Sequence, residues 1–186
     1  MSHLPKLNFP PIRLKARRGA NDRTEVFDVV RGRWLVLTPE EWVRRHVVEY
    51  LRTECGYAPQ LIVEEHPIPL NGMAQRADIV VIGADAKPHL VVECKEPNVK
   101  IDRQVLDQVV RYNSVLRCRY IVMTNGLETY CYEHDGEHYR PIKALPKSNA
   151  STANKAVFQL RLGSSVLDLK AIRSDQISRS VVSDSL

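Results

Sequence analysis

Apolar positions along this chain follow two periods, and the switches between them lay out the elements. Ile79 to Ile82 and Leu90 to Val92 are short continuous apolar runs, rich in β-branched residues and joined by the turn-rich segment GADAKP. Runs this short and this branched predict a hairpin of two mostly buried strands. Gln60 to Pro69 predicts the strand before it, extended at His66 because Pro67 follows. Asn71-Gly72 is a turn signal between them. Thr24 to Leu37 carries two β-like runs around Arg31-Gly32, a small hairpin whose Phe27 and Trp34 are expected to pack onto the core. Arg119 to Thr124 predicts a buried strand. The turn Asn125-Gly126 returns it to Glu128–His134, and Asp135-Gly136 turns the chain again.

Helical spacing occurs twice. Thr38-Pro39-Glu40-Glu41 is a start signal: a capping hydroxyl, proline in the first turn, and Glu41 placed to complete a capping box. The helix it opens runs to about Cys55, with Val43, Val47, Tyr50 and Leu51 on one face and Gly56 as its stop. From Ile101 to Leu116 a second amphipathic helix places Val105, Val109, Tyr112 and Leu116 in one stripe, with Asp102 as its cap. Strands interleaved with helices predict an α/β domain with a mixed central sheet and helices on both sides. The chain divides into a basic, Pro-containing arm (1–23), the folded domain (24–145) and a polar, Ser-rich extension (146–186).

Composition narrows the class. A chain of 186 residues suits one domain able to bury a core without staples. Lys and Arg number 27 against 22 Asp and Glu, a mild basic excess compatible with a nucleic-acid partner. Cys55, Cys94, Cys118 and Cys131 form no CxxC pair and read as reduced, buried thiols of a cytoplasmic protein. No apolar run approaches the ~20 residues of a membrane span, and the start of the chain lacks an apolar signal core. His134 and His138 straddle a turn without convergent partners, so they are not read as a metal pair.

The chemistry concentrates on the central hairpin. Asp78 enters its first strand, and Glu93 and Lys95 leave its second on one face while Cys94 points to the other. Charge at a buried strand end is costly unless it is paired or holds a metal. Two carboxylates converging with an amine suit metal-dependent phosphodiester cleavage, because hard oxygen ligands hold Mg²⁺ or Mn²⁺ together with a substrate phosphate. An adjacent ammonium can orient the attacking water and stabilise developing charge. Gln104 and Gln108 share one face of the second helix, with Tyr112 a turn further on. Lys15, Arg17 and Arg18 crowd the arm, and they, with Arg76, Lys100 and Gln104, are candidate nucleic-acid contacts.

The order Asp78, then Glu93-Cys94-Lys95 on the next strand, resembles the PD-(D/E)XK nuclease superfamily, with Ala77 in place of the name-giving proline. The stretches LTPEEWVRRH, RADIVV, VVECKEP, DQVVRYN and VMTNGLETYCY are similar in particular to the N-terminal domain of type I restriction enzyme R proteins, over roughly Leu7 to Leu145. The resemblance implies a restriction-endonuclease-like three-layer fold. It implies a metal held by Asp78, Glu93 and the Cys94 backbone carbonyl, with Lys95 acting on the attacking water. Gln108 and Tyr112, a QxxxY pattern, would support the lysine and the scissile phosphate. It also implies a glutamate from the first helix at the metal, for which Glu41 is the first candidate and Glu49 the second. The 186 residues contain no Walker A segment, so no ATP-driven movement along DNA is expected of them. Expected partners are DNA, a restriction-system protein, and a second copy of the chain, since double-strand cutting needs two sites. The competing expectation is a non-catalytic nucleic-acid-binding module or a scaffold subunit with the same fold.

Overall fold

A computed structural model describes residues 4–70 and 73–148. The Asn71-Gly72 turn, the first three residues of the arm and the extension from residue 149 onward lie outside the described residues.

A six-stranded sheet divides the domain into layers. Its strands are β4 (Ile62–Leu70), β5 (Met73–Ile82), β6 (Pro88–Cys94), β7 (Tyr120–Thr124), β8 (Thr129–His134) and β9 (Tyr139–Ile142), side by side in chain order. Neighbours are antiparallel except β6 and β7, which run parallel. Parallel neighbours need a crossover, and α2 (Arg103–Leu116) supplies it. α1 (Pro39–Thr53) covers the opposite face. The fold is therefore a three-layer α/β structure with a mixed sheet, as the periodicity predicts. Val80, Val91 and Ile121 face α2 through Val105, Val109 and Tyr112. Ile79, Leu90 and Val92 face α1 through Val43, Val47 and Leu51. Continuous apolar runs arise here because the central strands are covered on both faces.

The helix signals act locally as read, with one exception. The Thr38 hydroxyl accepts from the Glu41 N–H at 3.0 Å, and the Asp102 carboxylate accepts from Gln104 and Val105. The Glu41 side chain, expected to reach back and close a capping box, turns instead onto Arg31 and Arg45. A half-formed box results, because two buried guanidiniums outcompete one backbone N–H for that carboxylate.

A smaller sheet joins β1 (Ala16–Arg18), β2 (Thr24–Asp28) and β3 (Arg33–Val36), all antiparallel. Phe27 and Trp34, expected to pin this hairpin to the core, instead stack edge-to-face on each other with centroids 5.5 Å apart. Lys15 and Arg17 lie over them. Alternation turns their neighbours inward: Val26 and Asp28 are the buried residues of β2. The described part of the N-terminal arm is docked on the domain from Pro5 onward. Leu7 is buried, the Asn8 N–H donates to the Gly126 carbonyl at 2.7 Å, and Pro5 accepts from the Trp42 indole. Gly126 has φ +84, and a β-carbon there would lie 2.7 Å from Leu7. The turn and the docked segment therefore both require glycine.

Candidate metal and phosphodiester site

The site assembles at the carboxyl end of β6. The β5–β6 register pairs Ile79 with Val92, and one further step sets Asp78 opposite Glu93. Lys95 follows β6 directly, its N–H continuing the ladder to the Thr124 carbonyl of β7 at 2.9 Å. Its ammonium donates to Glu93 Oε1 at 2.7 Å and to Gln108 Oε1 at 3.2 Å. Gln108 Nε2 donates to the same Glu93 oxygen at 2.6 Å and to the Tyr112 hydroxyl at 2.8 Å. The hydroxyl in turn donates to Gln75 Oε1 at 3.4 Å. Glu93, Lys95, Gln108 and Tyr112 thus form one hydrogen-bonded chain, because α2 presents residues one turn apart to the end of β6.

Asp78 sits on the other side of that chain. Its Oδ2 accepts from the Cys94 N–H at 2.7 Å and its Oδ1 from Arg44 at 2.6 Å. The Cys94 side chain is buried in the α1-facing cluster, opposite Glu93 and Lys95, as alternation requires. Arg44 also contacts Glu40 at 3.2 Å, Glu41 at 3.3 Å, and Glu65. Glu65 lies in β4 with φ 53, an uncommon conformation for a non-glycine residue. Such residues gather at functional sites, where surrounding contacts hold them in place.

The electrostatics reflect crowded carboxylates. Burial, and then the neighbouring Asp78 charge, push Glu93 up to about 7. Burial raises Asp78 despite Arg44 and the Cys94 N–H, and burial with Asp78 raises Glu40. Burial alone would lower Lys95, but its bond to Glu93 and the charges of Glu93, Asp78 and Glu40 hold the ammonium above its ordinary range. Folding therefore keeps a proton on Glu93 that the unfolded chain releases from about pH 4.5 upward. Its contribution turns against the folded state as pH rises to about 7 and is fully unfavourable above that. In a chelating buffer, melting curves from pH 5 to pH 8 will show Glu93→Gln gaining on the parent as pH rises. A pH-independent difference would contradict this.

The residues fit a hard divalent cation. Glu93 Oε2 is a buried acceptor with no hydrogen-bond partner. Around it, among the described residues, the four carboxylates Asp78, Glu93, Glu40 and Glu65 face three cations, Arg44, Lys95 and the exposed Arg76, which leaves an excess of negative charge. An all-oxygen set of that charge matches Mg²⁺ or Mn²⁺.

The helix glutamate differs from the sequence expectation. Glu41 belongs to a second acidic cluster with Asp28 and Glu64, their ligand atoms within 4.8 Å of one another. That cluster is filled by Arg31 and Arg45, so it is an ion-pair core rather than the hairpin site. Glu49 pairs with Arg52 two turns further along. Glu40, one position before Glu41 and rotated by about a quarter turn, is the α1 carboxylate that feels Asp78 and Lys95. Sequence reading also missed Arg44 and Glu65. A signal for the helix pair was present: Glu40, Arg44 and Val48 share one i,i+4 row, so the buried stripe continues backward into charge.

Among the candidate nucleic-acid contacts, Arg76 is exposed with Glu65 at 3.9 Å, and Lys100 and Gln104 are exposed on the approach to α2. Arg17 is held by Glu25 and Arg18 by Asp22, all on or beside the small sheet.

No curated protein matches the chain in sequence. Among solved structures it is similar to a fragment assigned to an HsdR subunit of a type I restriction enzyme from Vibrio vulnificus YJ016. That match has 21% identity and a TM-score of 0.48, over 65% of this chain and 25% of that one. It is also similar to the type IIG restriction endonuclease BpuSI, with 18% identity and a TM-score of 0.35, over 62% of this chain and 15% of that one. The chain therefore spans a quarter or less of the length of these two proteins. The model of the type I restriction enzyme R protein N terminus (HSDR_N) matches residues 39–146, from the first turn of α1 past the end of β9. A match over more than half of the sequence, on the segment that carries α1, the hairpin and α2, places this chain in the type I restriction enzyme R protein N-terminal family.

Proposed function

We propose that this chain is a metal-dependent nuclease that hydrolyses DNA phosphodiester bonds. The observation that carries this reading is the hydrogen-bonded chain Lys95–Glu93–Gln108–Tyr112 beside Asp78, with Glu93 Oε2 buried and unpartnered. Asp78, Glu93 and the Cys94 carbonyl would hold Mg²⁺ or Mn²⁺, with Glu40 as the additional carboxylate from α1. The bound cation would polarise the phosphoryl oxygen and acidify a water. Gln108 and Glu93 hold the Lys95 ammonium at a fixed point. Those contacts favour its charged form, in which Lys95 would orient the attacking water and stabilise negative charge as it develops. Tyr112 and Gln75 fix Gln108 from behind. Arg76 and Lys100, both exposed, would meet backbone phosphates. Lys15, Arg17, Arg18 and Gln104 are outlying contacts in the same reading. DNA as the substrate and a restriction-system subunit as the partner belong to the same reading, which membership of the type I restriction enzyme R protein N-terminal family supports.

A plasmid-nicking assay beside calorimetric titration of Mn²⁺ tests this. The parent will nick with Mg²⁺ or Mn²⁺ and not with chelator. Asp78→Asn will lose nicking and bind Mn²⁺ at least about tenfold more weakly. Equal metal binding by parent and variant would remove Asp78 from the ligand set. Metal binding without nicking, with and without added restriction subunits, would favour a non-catalytic module.

A further inference from the structure

Both oxygens of Asp78 are already engaged by protein donors. Oδ2 accepts the Cys94 N–H, a backbone group fixed by the strand, at 2.7 Å. Oδ1 accepts Arg44, a side chain with other places to go, at 2.6 Å. The Arg44 guanidinium is 7% exposed and lies among four carboxylates: Asp78, Glu65, Glu40 and Glu41. Its Nε is buried with no partner, so the geometry does not satisfy the whole fork. A cation ligated by Asp78 competes for lone pairs with this guanidinium and repels it at short range.

Resting on the metal reading above, we propose that Arg44 is a built-in competitor for the cation site: it occupies Asp78 Oδ1, and ligation of a divalent metal shifts its guanidinium off Asp78 and onto Glu65. The receiving contact already exists. Arg44 Nη1 already bonds Glu65 Oε1, so the move needs a small rotation of the guanidinium rather than a rearrangement of α1. Glu65 is suited to receive it, since its backbone at φ 53 is held out of the regular strand conformation and its carboxylate stays with Arg44. Arg44 is thus a positioning residue that sets metal affinity without being a ligand. In exchange it neutralises the carboxylates when no cation is bound.

The test is calorimetric titration of Mn²⁺ into the chelator-treated full chain, for the parent, Arg44→Gln, Glu65→Gln and Asp78→Asn. Arg44→Gln is expected to bind Mn²⁺ about tenfold more tightly, a shift of about 1.4 kcal/mol, with a lower melting temperature before metal addition and a larger rise on adding it. Glu65→Gln, which removes the receiving carboxylate, is expected to bind several-fold more weakly and carries the test if Arg44→Gln does not fold. Arg44→Gln binding like the parent or more weakly, or Glu65→Gln binding as tightly as the parent, overturns the competitor role. If the parent binds Mn²⁺ and Asp78→Asn does not, that failure belongs to Arg44 alone. If the parent does not bind Mn²⁺, the metal reading falls and the competitor role with it.

Discussion

Lys95→Ala will lower metal-dependent DNA cleavage by about a thousandfold while leaving the domain folded. The side chain is poised by two partners, Glu93 at 2.7 Å and Gln108 at 3.2 Å, yet it remains partly open to solvent. Its removal therefore takes away a positioned charge without opening a cavity in the core. Glu93 keeps the Gln108 donor and, with its affinity for protons raised to about 7, can neutralise itself. The stability cost is thus about that of one hydrogen bond to a charged group, roughly 1.5–3 kcal/mol. The two effects separate in one set of experiments: single-turnover cleavage, Mn²⁺ titration and urea unfolding. Cleavage should collapse while Mn²⁺ affinity holds or tightens, because no proposed ligand is lost and a neighbouring positive charge is gone. Cleavage within tenfold of the parent would remove Lys95 from the reaction.

The second large effect lies away from the site. Arg45→Ala is expected to destabilise the chain by about 3–5 kcal/mol, because it leaves buried carboxylates without their principal cation. Arg45 contacts Asp28 at 2.8 Å and Glu41 at 2.7 Å, and it also pairs with Glu64. All three carboxylates are buried. This cluster is the joint between the small sheet, α1 and β4, so its loss should also loosen the N-terminal segment. Urea unfolding gives the magnitude, and amide exchange over β2 gives the location. A change below about 1 kcal/mol would mean that Arg31 alone compensates the cluster, as a surface pair would.

These two arginines show where the chain's own pattern stops being informative. RRH at Arg44 to His46 has the composition of a solvated helix face, yet all three residues are buried. Helical period gives the angle of a side chain about its own axis, but not what stands opposite. The small sheet, β4, β5 and the N-terminal segment supply what stands there, and the contacts span 17 to 37 residues in sequence (Arg45 with Asp28, Arg44 with Glu65 and Asp78, Trp42 with Pro5). For the same reason the sequence reading named Glu41, then Glu49, and did not separate Glu41 from its neighbour Glu40. Both follow the same cap, and only the neighbouring strand decides which one faces Asp78.

What the sequence determined by itself was whatever depends on local period and local chemistry. The apolar runs fixed a two-sided sheet, Thr38 and Asp102 fixed where both helices begin, and alternation fixed Glu93 and Lys95 on one face with Cys94 on the other. Helical spacing set Gln104, Gln108 and Tyr112 along one face of α2, and their place beside the lysine was what the resemblance implied. Only the tertiary structure decided the partners of buried charge: Arg44 on Asp78, Glu65 held at positive φ beneath it, Glu41 withdrawn into an ion-pair core, and the N-terminal segment laid against Gly126. A buried charge is placed by the nearest opposite charge in space, and at these distances along the chain that neighbour is set by packing rather than by period.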